Sequence, residues 1–171
     1  MKLVVAVDKE WGIGYKGDLL ARVRADLRYF RALTKDKTVI LGSTTLATFP
    51  GGKPLKDRVN IVLSRRSDYA PEGAIVVHSI DELLKTLESY DDENVVVIGG
   101  ASVYSQLLPY CDTAYVTKFD KSFEKDTFFE NLDASAEWEL ESVGEEQISD
   151  PETDSEAGMK FSFCVYKRVA K

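Results

Sequence analysis

The sequence predicts an α/β fold: a three-layer architecture with a central, mostly parallel eight-stranded sheet, four helices on its faces and an antiparallel C-terminal edge. Three observations predict it. Short apolar runs rich in β-branched residues recur along the first two thirds of the chain, the pattern of strands buried on both faces. Segments of helical spacing lie between them. After Pro109 the pattern changes, and residues 138–143 and 161–169 alternate apolar with polar, as antiparallel strands do. Strands alternating with helices and then closed by strands give this class, with right-handed crossovers between its parallel strands.

In order, residues 3–7 are a buried strand, and residues 8–17 (DKEWGIGYKG) form a glycine-rich mobile loop. Residues 25–33 have helical spacing that turns Leu27, Phe30 and Leu33 inward and Arg24, Arg28 and Arg31 to another side. Residues 38–42 are a second strand ending in glycine, followed by Ser43, Thr44 and Thr45 as capping residues of a short helix to about residue 48. Phe49 opens a turn-rich loop to Pro54. Residues 60–64 and 74–78 are further strands, the first running into Arg65 and Arg66. Ser79 and Glu82 make a capping box for a helix reaching about residue 89. Val95 to Ile98 is the next buried strand; it enters Gly99-Gly100 and then an amphipathic helix with Val103, Leu107 and Leu108 on one side. Residues 113–119 are a strand with no helix behind it, and the acidic stretch 145–156 reads as a long solvated hairpin connection rather than a partner site. No repeat or linker interrupts the chain.

A length of 171 residues suits one domain. A net charge of −7 argues against a general nucleic-acid binder. No apolar run is long enough to span a bilayer, and residues 1–7 are too short and too soon followed by acid for a signal peptide. Cys111 and Cys164 lie far apart in apolar settings with no metal-ligand spacing, so free thiols in a cytoplasmic protein are expected, and no metal site.

In such a sheet, ligands bind outside the carboxyl ends of the strands. Those ends carry Trp11 and its loop, Gly42 to Thr45, Ser64 to Arg66, and Gly99 to Ser102. Hydroxyls and arginines beside glycines suit an elongated polyanion such as a dinucleotide diphosphate. Taken alone, Gly99-Gly100 fits equally well a βα turn that needs glycine only for its bend, and it is not the G-x-G-x-x-G fingerprint.

The ordered motifs resemble the dihydrofolate reductase family over nearly the whole chain: Val5-Ala6-Val7, Gly12-Ile13-Gly14, Asp26-Leu27-Arg28-Tyr29-Phe30, Gly51-Gly52-Lys53-Pro54-Leu55, Arg58 through Ser64, Ile98-Gly99-Gly100, Val103-Tyr104 and Asp126-Thr127-Phe128-Phe129. Each is short; their order and spacing carry the resemblance. It implies one dihydrofolate reductase-like domain over residues 1–171 and NADPH-dependent reduction of 7,8-dihydrofolate to 5,6,7,8-tetrahydrofolate, supporting one-carbon metabolism, in an antifolate-target family. Hydride would reach pterin C6, and water would bring a proton to N5.

The resemblance assigns Asp26 as the carboxylate that holds the pteridine N3 and 2-amino group, Thr117 as its hydrogen-bond partner and Tyr104 as the third member of the catalytic set. The helix spacing supports Asp26 independently, since it presents one carboxylate among apolar side chains, where burial raises its pKa. Substrate contacts are implied at Val5, Ala6, Leu27, Phe30, Arg31, Phe49, Leu55, Arg58 and Ile98, with Arg58 pairing with the glutamate-tail carboxylate. Cofactor contacts are implied at Ala6, Ile13, Gly14, Gly42, Ser43, Thr44, Thr45, Leu63, Ser64, Arg65, and Ile98 with Gly99, Gly100, Ala101, Ser102, Val103 and Tyr104. The family's Gly99-Gly100 bond is cis. His78 is expected to be structural and remote from these motifs.

Three positions depart from the family pattern. Leu20-Ala21 replace the usual Pro-Trp, Arg24 replaces the proline before the Asp helix, and Ser43 replaces an arginine that binds the cofactor's 2′-phosphate or diphosphate. Arg65 and Arg66 are the available replacements for that guanidinium. Lys16, Arg22, Arg24, Arg28, Arg31 and Arg58 fit either a positive funnel for anionic ligands or a solvated helix face. The expected partner is the small-molecule substrate, with no nucleic acid or membrane, on a monomer. The alternatives are a pyrimidine reductase of riboflavin synthesis, which would not need Asp26 and Arg58 together, and a silent nucleotide- or pterin-binding paralogue.

Overall fold

The apolar runs become strands whose side chains leave water almost completely: Val39, Ile40, Leu41, Ile61, Val62 and Val97 are fully buried. The structure, a computed structural model, describes residues 1–169; the last two residues of the expected 1–171 domain lie outside the described residues. The strands are β1 (Lys2–Val7), β2 (Gly12–Gly14), β3 (Thr38–Gly42), β4 (Val59–Leu63), β5 (Ile75–Val77), β6 (Val95–Gly99), β7 (Thr113–Phe119), β8 (Thr127–Phe128), β9 (Trp138–Val143), β10 (Gln147–Ile148) and β11 (Lys160–Arg168). The helices are α1 (Arg24–Thr34), α2 (Ser43–Ala47), α3 (Ile80–Leu87) and α4 (Ala101–Leu107). The main sheet has the order β10-β11-β7-β1-β6-β3-β4-β5, with β9 pairing β11 as a ninth strand beyond the eight expected. It is a mixed sheet, parallel through β1, β6, β3, β4 and β5 and antiparallel where β11 meets β7, β9 and β10.

Two compact units divide the chain. The first holds residues 1–3 and 34–110. In it Lys2 and Leu3 pair with Val96 and Val97, and β3 lies between β6 and β4 in parallel register. Ser79 caps α3 by accepting from the Glu82 N–H at 3.1 Å, while the Glu82 carboxylate accepts from the His78 N–H at 2.8 Å. The capping box is therefore displaced by one residue, because His78 rather than Ser79 presents the free N–H. The cap of α2 is Gly42, with no side-chain bond, so Ser43, Thr44 and Thr45 occupy its first turn instead of capping it.

The second unit holds residues 4–33 and 111 onward. Its antiparallel ladder runs from Phe161↔Phe119 to Lys167↔Thr113. Ala21, Val23, Phe119, Met159 and Phe161 form a buried cluster, with Ala6, Ala25, Phe123 and Phe163 packed against it. The glycine-rich loop is anchored at its start. Asp8 is buried; its carboxylate accepts from the main-chain N–H of Glu10, Gly12 and Phe123 and from Lys125 Nζ at 2.6 Å. Burial alone would push this carboxyl up, and these bonds outweigh it, so its pKa lies below the ordinary carboxylate value. The stretch expected to be a solvated connection is also anchored. β10 joins β11, and the buried Ser149 hydroxyl donates to the Glu156 carbonyl at 2.6 Å and accepts from the Met159 N–H at 2.8 Å.

Candidate active site

Asp26 lies in the first turn of α1, where its carboxylate side faces β7. The Thr117 hydroxyl on β7, itself buried, donates to Asp26 Oδ1 at 2.6 Å. Burial pushes the carboxyl up to about 6, against the lowering that the Thr117 hydroxyl exerts. Tyr29, one turn on, stacks on Phe163 of β11 with ring centroids 4.1 Å apart, and Phe163 stands in register with Thr117. Two strands thus fix the rotation of the helix that carries the carboxylate. The site presents a carboxyl raised towards neutral pH yet still mostly ionised there, suited to holding a heterocycle with adjacent N–H donors.

That rotation corrects one expectation. Leu27 does not turn inward; it is 45% exposed and lines an open hollow with Arg22, Arg24 and Thr153. Tyr29 and Asp26 take the inward side instead. Phe30 is half-buried, Arg31 is exposed, Val5 is buried, and Ala6 packs against the apolar cluster. Ile13 and Gly14 lie in β2, which pairs antiparallel with β8.

In the first unit the ends of β3 and β6 meet. Gly99 has φ +125°, a conformation that favours glycine, and the Gly99-Gly100 peptide is cis, as the resemblance implies. A Cβ on Gly100 would lie 3.0 Å from Thr45 Oγ1, so glycine is what lets the start of α4 approach the α2 hydroxyl. The buried Tyr104 ring lies against Gly99, and Gly42 lies against Val103. Ser43 and Ala101 are half-buried, Thr44 and Ser102 are exposed, and Ile98 is buried. Half-buried Leu63 leads to buried Ser64, whose hydroxyl accepts from the Arg66 N–H at 3.2 Å. The Arg66 guanidinium sits 4.7 Å from the Tyr69 ring centroid, while Arg65 is exposed and makes no ion pair among the described residues. His78 is not remote: its Nδ1–H donates to the Ser64 carbonyl at 2.8 Å. β5 lies beside β4, which brings His78 to the end of that strand.

Arg58 is held in a fixed pose. Its Nε and Nη2 donate to Thr34 Oγ1 at 3.1 and 3.0 Å, and its Nη1 donates to the Lys56 carbonyl at 2.7 Å. The loop before it is clipped by a polar residue set in the apolar run of β4. Buried Asn60 accepts from the Leu55 N–H at 3.0 Å and donates to the Leu55 and Arg58 carbonyls. A polar amide inside an apolar strand run was the available signal. Phe49 and Leu55 are half-buried on the same unit.

The comparisons with known proteins agree on one family. The sequence profile described as dihydrofolate reductase matches residues 1–168. The chain belongs to the dihydrofolate reductase family. A dihydrofolate reductase of Heliothis virescens is 36% identical to it, over 99% of this chain and 97% of that protein. One from Staphylococcus haemolyticus is 34% identical, over 99% and 96%. A solved dihydrofolate reductase from Enterococcus faecalis, complexed with NADP(H) and RAB-propyl, superposes with a TM-score of 0.85 at 32% identity and covers 99% of this chain and 96% of that one. Dihydrofolate reductases are NADPH-dependent oxidoreductases, and the pyrimidine reductase alternative is not favoured. Where the family usually has tryptophan, Ala21 is buried in the apolar cluster with Met159 and Phe161. Trp11 is packed elsewhere in the unit, stacked on Phe129 and edge-on to Tyr166.

Proposed function

We propose that this chain reduces 7,8-dihydrofolate to 5,6,7,8-tetrahydrofolate, with Asp26 as the group that holds and orients the pterin. The carrying observation is the hydrogen bond from Thr117 to a buried carboxyl whose pKa is pushed up to about 6. Asp26 accepts from the pterin N3 and 2-amino donors, and Thr117 keeps the carboxylate in the rotamer that does so. Val5, Ala6, Leu27, Phe30, Phe49, Leu55 and Ile98 supply apolar contact, and Arg31 and Arg58 pair with the tail carboxylates. Bound NADPH supplies the hydride for pterin C6. The proton for N5 comes from water, and the raised pKa of Asp26 poises the site for proton transfer close to neutral pH.

The residues of the first unit fit that cofactor. The close approach at Gly100, which a Cβ would fill, leaves main chain and the Thr45 hydroxyl accessible to a diphosphate, as the donor set of Ser43, Thr44, Ser64 and Ser102 also requires. Gly42, Leu63, Gly99, Ala101 and Val103 complete the backbone cradle. Ile13, Gly14, Ala6, Ile98 and Tyr104 contact the nicotinamide end, and Arg65 takes over 2′-phosphate recognition from the arginine replaced by Ser43. The whole chain acts as one monomeric cytoplasmic domain; its two buried free cysteines suit a reducing compartment.

The test is the decay of NADPH absorbance with dihydrofolate, for the native protein beside Asp26→Asn. Decay that collapses by 10²-fold or more in the variant, within the range of about 10²–10⁴ for general acid–base groups, is expected. Tight NADPH binding without decay would overturn the reductase reading in favour of a silent binding protein.

A further inference from the structure

The helix that carries Asp26 has no cap of its own. The Leu27 N–H donates to the Val23 carbonyl at 3.0 Å, so Val23 stands at the cap position, and its isopropyl group accepts nothing. Arg24, the first residue of α1, therefore exposes a main-chain N–H that needs a partner. A proline there would have no such N–H and would preset the helical φ. Here the partner is Asp154, 130 residues further along, whose Oδ1 accepts from Arg24 N at 2.8 Å. The neighbouring bonds run both ways: Ser155 N donates to the Arg22 carbonyl at 3.0 Å, and Arg22 N donates to Ser155 Oγ at 2.8 Å.

The acceptor is itself held. Asp154 Oδ2 accepts from Asp150 N at 2.8 Å, and Asp154 N donates to the Asp150 carbonyl at 3.0 Å. Lys121 pairs with Glu156 at 2.5 Å, and Ser149 closes the base of the segment. Thr153, next to Asp154, lines the same hollow as Leu27 and Arg24.

We propose that residues 150–155 form a clamp that fixes the start of α1, with Asp154 as a positioning residue for Asp26. Asp154 supplies from a distant loop what a proline at position 24 would supply locally. Asp26 is two residues past the clamped N–H, in the same turn, so a loosened start is felt first at the bond between Asp26 and Thr117. The inference rests on the reductase reading for its catalytic consequence, but the clamp has readouts of its own.

The experiment compares Asp154→Ala, Asp154→Asn and Arg24→Pro, alone and with Asp154→Ala, by kcat/KM for dihydrofolate across pH and by amide hydrogen exchange at residues 24–27. Asp154→Ala should lose about fivefold in kcat/KM, the size of a lost helix cap, and move the Asp26-dependent inflection upward as the Thr117 donor is withdrawn. Its Arg24 amide should exchange faster. Asp154→Asn should fall between wild type and Asp154→Ala, because its one amide oxygen still accepts from Arg24 N while the Asp150 N–H loses its acceptor. In the Arg24→Pro background, Asp154→Ala should change nothing further. An unmoved inflection with only a lower melting temperature, Asp154→Asn as damaged as Asp154→Ala, or the full loss persisting beside Pro would each overturn the proposal. If Arg24→Pro does not fold, the Ala and Asn variants and their amide exchange decide it. A native protein that turns over no dihydrofolate sinks the reductase reading alone, and exchange at residue 24 still decides the clamp.

Discussion

The Thr117 hydroxyl donates to Asp26 Oδ1 at 2.6 Å, and it does so against a burial that pushes the same carboxyl up to about 6. The two effects oppose each other in sign. Burial favours the protonated acid, whereas a hydroxyl donor favours the carboxylate. The residual shift is upward, which poises Asp26 within reach of neutral pH.

The first consequence concerns stability. With its pKa raised, Asp26 binds a proton more tightly in the folded state than in the unfolded chain, so stability falls as pH rises from about 4 to about 6 and levels off above. Two pKa units correspond to about 3 kcal/mol at most, reduced here because the residue keeps some exposure. Asp26→Asn should therefore be more stable than the native protein by about 1–3 kcal/mol at pH 7.5, and the gap should close near pH 4. Denaturant melts at the two pH values check this; a gap independent of pH refutes it.

Thr117→Val removes the donor that favours the carboxylate. A hydrogen bond to a charged group contributes roughly 1.5–3 kcal/mol, so the Asp26 inflection should rise by about one unit. The hydride-step rate, which needs a proton, should then fall off at a higher pH than in the native protein. Stopped-flow rates from pH 5 to 9 measure this, and an inflection that stays put or moves down contradicts the role assigned to Thr117.

Arg65 is exposed and makes no ion pair among the described residues, while the neighbouring Arg66 guanidinium stacks near Tyr69 and Ser43 stands in place of the family arginine. A guanidinium lost from a phosphate costs about 1.5–3 kcal/mol. Arg65→Ala should weaken NADPH binding by about tenfold or more and leave NADH nearly unchanged. Equal losses for both cofactors, in fluorescence titrations, would remove Arg65 from 2′-phosphate recognition.

The parallel sheet was legible because β3, β4 and β6 are short runs buried on both faces, and such runs have few other uses. The Asp26–Thr117 pair was legible only through the ordered motifs, since the residues are 91 positions apart. What escaped the sequence reading has the same physical character. The Asp8–Lys125 pair spans 117 residues and the Asp154–Arg24 bond 130, so local pattern cannot join them. Leu27 misled because a helical spacing gives which residues share a face but not how the helix is rotated. That rotation is set by Tyr29 against Phe163, a contact between elements far apart in the chain.

The last prediction concerns the glutamate end of the substrate. Arg58 reaches Thr34 Oγ1 through both Nε and Nη2, which a lysine ammonium on its flexible stem cannot reproduce. Asn60 acts on the same guanidinium from behind, by holding the Leu55 and Arg58 main chain. Arg58→Lys should raise KM for dihydrofolate by about tenfold, the loss of one charge-assisted bond, with kcat little changed because the pterin end is untouched. Asn60→Ala should show the same split to a smaller extent, since the arginine remains but its loop is released. Both effects should vanish with a dihydropterin substrate that lacks the glutamate tail. A KM penalty that persists on the truncated substrate would mean that Arg58 acts on the pterin or on folding, and not on the tail carboxylate.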